Sequence, residues 1–165
     1  MIDTTYEIRP IEERNREQVK KWFISRWKTD FLVSKGQKHF FDDLQGFLAL
    51  DNGRILGIAT FRNETSENST EVISLDSFQE NIGIGSTLIR HIVDLASQEG
   101  KERIWLVTTN DNTNALRFYQ KRGWNMIHFY RDAVEKARVL KPSIPETGKN
   151  GIPILHEIEL EIQLT

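Results

Sequence analysis

The sequence predicts a mixed α/β fold in which helices layer onto one central sheet. Three observations predict it. Strand-like runs follow one another through polar turns between positions 47 and 75. Two glycines, Gly83 and Gly85, then lead directly into an apolar run of helical period. The last dozen residues alternate apolar and polar side chains.

Taken in order, Tyr6 to Arg9 reads as a short strand ended by Pro10. Asn15 is placed to cap a helix, with Gln18 three residues on as a capping box requires. Val19, Trp22, Phe23 and Trp27 then form one apolar stripe. Asp30 to Gly46 is irregular and aromatic. Phe47 to Leu50 and Arg54 to Phe61 read as strands joined by Asp51-Asn52-Gly53, a hairpin signal. Asn63 to Ser69 is a polar turn and Glu71 to Leu75 a third strand. Leu88, Ile89, Ile92, Val93, Leu95 and Ala96 line one face of a helix that Gly100 stops.

Ile104 to Val107 is a strand whose apolar run suits a buried position. Asn112 to Arg122 is a helix with Asn112 as N-cap, Lys121 and Arg122 in the last turn and Gly123 at its end. Asn125 to Tyr130 is a strand and Arg131 to Leu140 a short helix. Lys141 to Pro153, with three prolines and two glycines, is a loop. In the last strand Ile154, His156, Ile158, Leu160, Ile162 and Leu164 face one way, and Glu157, Glu159, Glu161 and Gln163 the other.

Length and composition bound the function. The 165 residues suit one domain, 1–165, with a real core. Basic and acidic residues number 22 and 24, a net charge of −2, which argues against general nucleic-acid binding. The basic residues of the first helix read as a solvated face. There is no cysteine, so neither a disulfide scaffold nor a thiol nucleophile is available, and no metal site is expected. A reducing, cytoplasmic setting fits. No apolar run approaches the roughly 18 residues of a membrane helix, and MIDTTYEIRP lacks the features of a signal peptide.

The turn before the central helix carries the chemistry. A helix N-terminus leaves backbone N–H groups unpaired and carries partial positive charge. Glycines there let the backbone approach a ligand, and phosphate is the usual occupant. A P-loop is excluded because no lysine follows Gly85. A dinucleotide fingerprint is disfavoured because Leu88 stands where the third glycine belongs. Gly-x-Gly alone fits a ligand-free turn equally well.

A second motif, Asn112-x-x-Ala115-x-x-x-Tyr119-x-x-x-Gly123-Trp124, lies one strand downstream. With it the sequence resembles the GNAT superfamily of acyl-CoA-dependent N-acetyltransferases, and the order of elements matches from Tyr6 to the C-terminus. The resemblance implies a mixed sheet of about six to seven strands flanked by helices, with acetyl-CoA as co-substrate. It implies that the amides of Ile82, Gly83, Ile84, Gly85, Ser86 and Thr87 hold the pyrophosphate. The strand near Leu75 and Ser77 would bond the pantetheine arm, where it bulges and splays from its parallel neighbour. Asn112 would contact the cofactor, and Tyr119 would protonate the departing thiolate as general acid. The amide of Leu75 is the candidate for polarising the thioester carbonyl.

One departure stands out. Glu80 occupies a position where the family commonly has Gln or Arg. An acidic side chain beside a pyrophosphate repels it unless it points away, so weaker binding or a reoriented Glu80 is expected, with the site retained.

For the base that takes the amine proton, three options stand. Asp76 is close in sequence to the thioester site, although a solvated strand-end carboxylate is its ordinary reading. His156 could serve from the apolar face of the last strand, where a half-buried structural histidine is the ordinary reading. Water relaying to a distant carboxylate is the third. The acceptor, a primary amine of a small molecule or peptide, would meet Asp30 to Gly46 and Lys141 to Pro153. Trp27, Phe31, His39, Phe40 and Phe41 with Asp42 and Asp43 suit a cationic amine, or fill the core. A homodimer is compatible. Two other functions fit the same residues: a non-catalytic acyl-CoA sensor, and an interaction protein that kept the fold without the cofactor.

Overall fold

The computed structural model describes residues 5–79 and 82–165. Its elements are β1 (Glu7–Pro10), α1 (Glu13–Trp27), β2 (Phe31–Ser34), β3 (Gln37–Phe40), β4 (Gln45–Asp51), β5 (Arg54–Glu64), β6 (Ser69–Ser77), α2 (Ile84–Gln98), β7 (Arg103–Thr109), α3 (Thr113–Gln120), β8 (Asn125–Tyr130), α4 (Ala133–Leu140) and β9 (Glu157–Gln163). Among the described residues, seven strands form one mixed sheet in the order β1-β4-β5-β6-β7-β9-β8, and β2 and β3 form a separate hairpin. Only the β6–β7 pair is parallel.

One core lies between the sheet and α2, where Leu88, Ile89 and Ile92 meet Ala59, Phe61, Val72, Ile104 and Leu106. Gly57 permits this approach. A Cβ there would stand 2.6 Å from the Ile84 side chain and 2.9 Å from the Asp76 carbonyl. A second core holds Val19 and Phe23 of α1 against Leu48, Ile55 and Ile58, with Phe41 beneath. The aromatics of the 30–46 segment thus divide: Phe41 is core, while Phe40 stays exposed.

The local signals hold where the chain fixes its own geometry. Asn52 and Gly53 both have positive φ, as the tight β4–β5 turn requires. Asn112 caps α3, accepting a hydrogen bond from the Ala115 amide. Gly123 takes the left-handed φ that follows the helix.

Three expectations are corrected. The N-cap of α1 is Glu12, and Asn15 is the third residue of the capping box, bonding back to the Glu12 amide at 2.8 Å. Trp22 leaves the buried stripe of α1, is 41% exposed, and stacks on Phe78 at 5.1 Å. The 31–40 stretch is a hairpin, turning at Lys35 and Gly36, both with positive φ. In β9, Glu157 and Glu159 are buried against the turn of that hairpin. Lys35 supplies its amide to Glu157 and its ammonium to Glu159, and Arg103 and Tyr130 also bond Glu159.

Two features of β6 position the site. Val72 pairs with Phe61 and Ser74 with Thr60, so Ile73 is an extra residue, a β-bulge. The ladder to β7 ends at Val72–Leu106, although β6 runs to Ser77 and β7 to Thr109. The only parallel pair of the sheet therefore opens into a V.

Candidate active site

A cleft of about 700 Å³ occupies the open end of the V, between the end of β6, the start of α2 and the face of α3. Leu75, Asp76, Ser77, Gly83, Ile84, Gly85, Ser86, Asn112 and Tyr119 all line it. The Phe78 amide bonds the Leu56 carbonyl on β5. Alternation along a strand then turns the amides of Leu75 and Ser77 away from β5, into the gap.

The glycine turn is built for close approach. Gly83 is the N-cap of α2 with φ +78, and no atom would touch a Cβ placed on it. The Thr87 amide already bonds the Gly83 carbonyl at 3.0 Å. The amides of Ile84, Gly85 and Ser86, one turn earlier, have no intrahelical acceptor. Thr87 therefore drops out as an amide donor, and its hydroxyl bonds Gly83 and Tyr6 instead. Ile82 packs against the core beside the helix and does not line the cleft. Glu80 lies outside the described residues.

A cation stands at this turn that the sequence had assigned only to the dipole of α3. Arg122 places two guanidinium nitrogens 3.1 and 2.5 Å from the Ser86 hydroxyl and lies over the Phe118 ring at 3.7 Å. Arg26 and Lys149 also line the cleft. The residues present therefore fit a diphosphate: unpaired amides, an unobstructed approach at Gly83 and a positive rim.

Tyr119 is 6% exposed and packs edge-on against Phe118 and Trp124. Among the described residues no buried side-chain nitrogen or oxygen is sealed without a partner, so the unbonded hydroxyl opens on the cleft. Burial, and next the Asp76 carboxylate, push the phenol above its ordinary pKa, so it keeps its proton at neutral pH. Asp76 is not a solvated strand end. Its carboxylate is 10% exposed and accepts hydrogen bonds from Trp27 Nε1 at 3.0 Å and Arg26 Nε at 3.1 Å. Burial raises its pKa against the pull of Arg26 and Trp27. His156 does not line the cleft. Its Nδ1 accepts from the Asp132 amide, and its ring lies against Phe129.

Residues 6–124 match the family model described as the acetyltransferase (GNAT) family. The chain belongs to the GNAT acetyltransferase family. Acyl-CoA-dependent N-acetyl transfer is the enzyme class that this membership carries. This GNAT protein is 41% identical over 150 residues to the uncharacterised protein YdhI of Bacillus subtilis (strain 168), covering 90% of this chain and 92% of that one. Its fold is similar to that of a Bacillus subtilis acetyltransferase solved with CoA, with a TM-score of 0.70 at 17% identity, over 98% of this chain and 100% of that one. A GNAT family acetyltransferase from Elizabethkingia anophelis with acetyl-CoA bound has a TM-score of 0.68 at 20% identity, over 98% and 99%. No helix among the described residues of the GNAT chain is long and apolar enough to cross a membrane.

Proposed function

We propose that the protein transfers the acetyl group of acetyl-CoA directly to a primary amine of a small molecule or peptide. The observation that carries this is the V between β6 and β7, with Gly83 and the first amides of α2 at one side and the Tyr119 hydroxyl at the other. The pyrophosphate sits on the amides of Ile84, Gly85 and Ser86, and the pantetheine arm pairs with the edge of β6 at Leu75 and Ser77. Acetyl-CoA supplies an activated acyl group on a thiol of ordinary leaving ability.

The chain's own residues then do the following. The Leu75 amide donates to the carbonyl oxygen as negative charge builds there. The C–N bond forms, the C–S bond breaks, and Tyr119 gives its proton toward the departing sulfur. Asn112, with its side-chain oxygen committed to capping α3, forms the wall where acceptor and donor meet. Asp76 is the carboxylate that lines the cleft among the described residues, and it takes the amine proton. With Arg26 and Trp27 on its two oxygens, it acts through a bridging water.

Arg122 brings positive charge to the glycine turn through its contact with Ser86. Arg122→Ala is expected to weaken acetyl-CoA binding about three- to tenfold, a charge-assisted contact at a partly exposed site. Calorimetric titration of both proteins at two salt concentrations checks it; the variant should show the smaller salt dependence. The test of the whole reading is thiol release from acetyl-CoA against a panel of amines, amino acids and peptides, beside a thermal-shift titration. Amine-dependent release supports transfer. A shift without release for any acceptor supports a sensor, and neither response supports an interaction protein.

A further inference from the structure

A second cavity, of about 170 Å³, lies beneath the β2–β3 hairpin and the C-terminal end of α1. It adjoins the cofactor cleft at Asn112, which lines both. Trp27 walls it on one side and holds Asp76 of the cleft through its indole N–H. Trp27, Leu32, Val33, Ile73 and Val107 give it apolar walls, and Thr108 and Thr109 line it toward Asn112. One end is polar: Ser34, His39 and Glu71. Glu71 is one residue before the last β6–β7 ladder pair, so this end is the narrow end of the V.

Counting protons fixes what the polar end offers. The Ser34 hydroxyl donates its one proton to Glu71 Oε1 at 2.8 Å. The Ser34 hydroxyl oxygen itself lies 2.8 Å from His39 Nε2, and with its proton spent it accepts from the imidazole. His39 then carries its proton on Nε2 and keeps a lone pair on Nδ1. Arg62 Nε, 2.7 Å from Glu71 Oε2, takes the other carboxylate oxygen. Burial and then Arg62 hold the His39 pKa at about 4, against the Ser34 carbonyl, so the ring is neutral at physiological pH. Nδ1 has no hydrogen-bond partner among the described residues, where no buried side-chain nitrogen or oxygen is sealed without one. The lone pair therefore faces open volume, and this cavity is the volume that His39 borders.

We propose that this cavity receives the acceptor and that His39 selects a compact amine whose far end is an uncharged hydrogen-bond donor, such as a hydroxyl. The proposal rests on the acetyl-transfer reading above. The amine points to the Asn112 junction, the aliphatic middle lies against Trp27, Val33 and Ile73, and the hydroxyl donates to His39 Nδ1. A second ammonium is disfavoured because Glu71 is already spent on Ser34 and Arg62, and the Arg62 charge opposes another cation. A carboxylate is disfavoured because it meets the lone pair of His39 and the charge of Glu71.

The test compares butylamine, aminobutanol, diaminobutane and aminobutanoate, with their one-carbon-longer homologues, as acceptors in the thiol-release assay. The expected result is a kcat/KM for the amino alcohols about three- to tenfold above that for the plain amines, the worth of one hydrogen bond, and lower values for the diamines and amino acids. His39→Phe should erase the preference, bringing kcat/KM for the amino alcohols down to that for the plain amines in the same variant. Its acetyl-CoA thermal shift should be retained, because His39 does not line the cofactor cleft. The wild-type series decides even if that variant fails to fold. A diamine or amino acid as best acceptor, equal use of all four, or use of none overturns the assignment while an intact acetyl-CoA shift leaves the donor site standing. Loss of that shift in the wild type overturns both.

Discussion

Gly83→Val is expected to abolish the rise in melting temperature that acetyl-CoA gives the wild type. The wild-type rise corresponds to about 2.7 kcal/mol at a concentration 100 times Kd. Gly83 caps α2 in the left-handed region, at φ +78. A β-branched residue is a genuine outlier there, at a cost on the order of 1–3 kcal/mol. It can relieve that strain only by turning the peptide units that aim the first amides of α2. A Cβ at Gly83 would meet no atom within 4 Å, so the protein can fold around the change. What the new side chain occupies is the space through which a diphosphate approaches the backbone. The measurement is a thermal melt with and without acetyl-CoA, beside a circular-dichroism spectrum. Gly83→Ala should fall between. An unchanged shift in folded Gly83→Val would place the anion elsewhere.

Tyr119→Phe is the second large effect, and it separates from the first because it should act on kcat alone. The ring contacts to Phe118 and Trp124 survive the change, and the hydroxyl has no partner among the described residues. Stability and the acetyl-CoA thermal shift should therefore be retained. Turnover should fall by roughly 10²–10⁴-fold, the usual span for a general acid. The lower end is the better expectation, because a thiolate leaves tolerably without help. Steady-state kinetics with a saturating acceptor reads the effect. Full activity would remove the phenol from the reaction and leave it as a core aromatic.

Much of the scaffold was legible because the decisive interactions are local. Asp51-Asn52-Gly53, the Asn112 cap and Gly123 each fix a few backbone angles through their own side chains or lack of one, so they can be read without knowing what packs on them. The same holds for Gly83. The β2–β3 hairpin was not legible. Its turn is Lys35-Gly36, a pair whose lysine pays for a left-handed φ, and the compensation comes from Glu157, Glu159 and Trp105, far along the chain. The burial of Glu157 and Glu159 was hidden for the same reason: period reports which side chains share a face, never what covers it. Arg122 carried a sufficient local explanation as a cation at a helix end, which hid its contact with Ser86. Asp76 and His39 depended on α1 and Arg62, and no spacing in the sequence brings those together.

The V between β6 and β7 has a mechanical corollary. The sheet is two rafts, β1-β4-β5-β6 and β7-β9-β8, laced only by Ser69–Val72 against Arg103–Leu106. The lacing sits at one end, so any rocking of the rafts is greatest at the other, where bonds are made and broken. A chain of atoms lying between them as a temporary eighth strand would tie the rafts together. The molecule would then be stiffest when loaded and loosest on letting its product go.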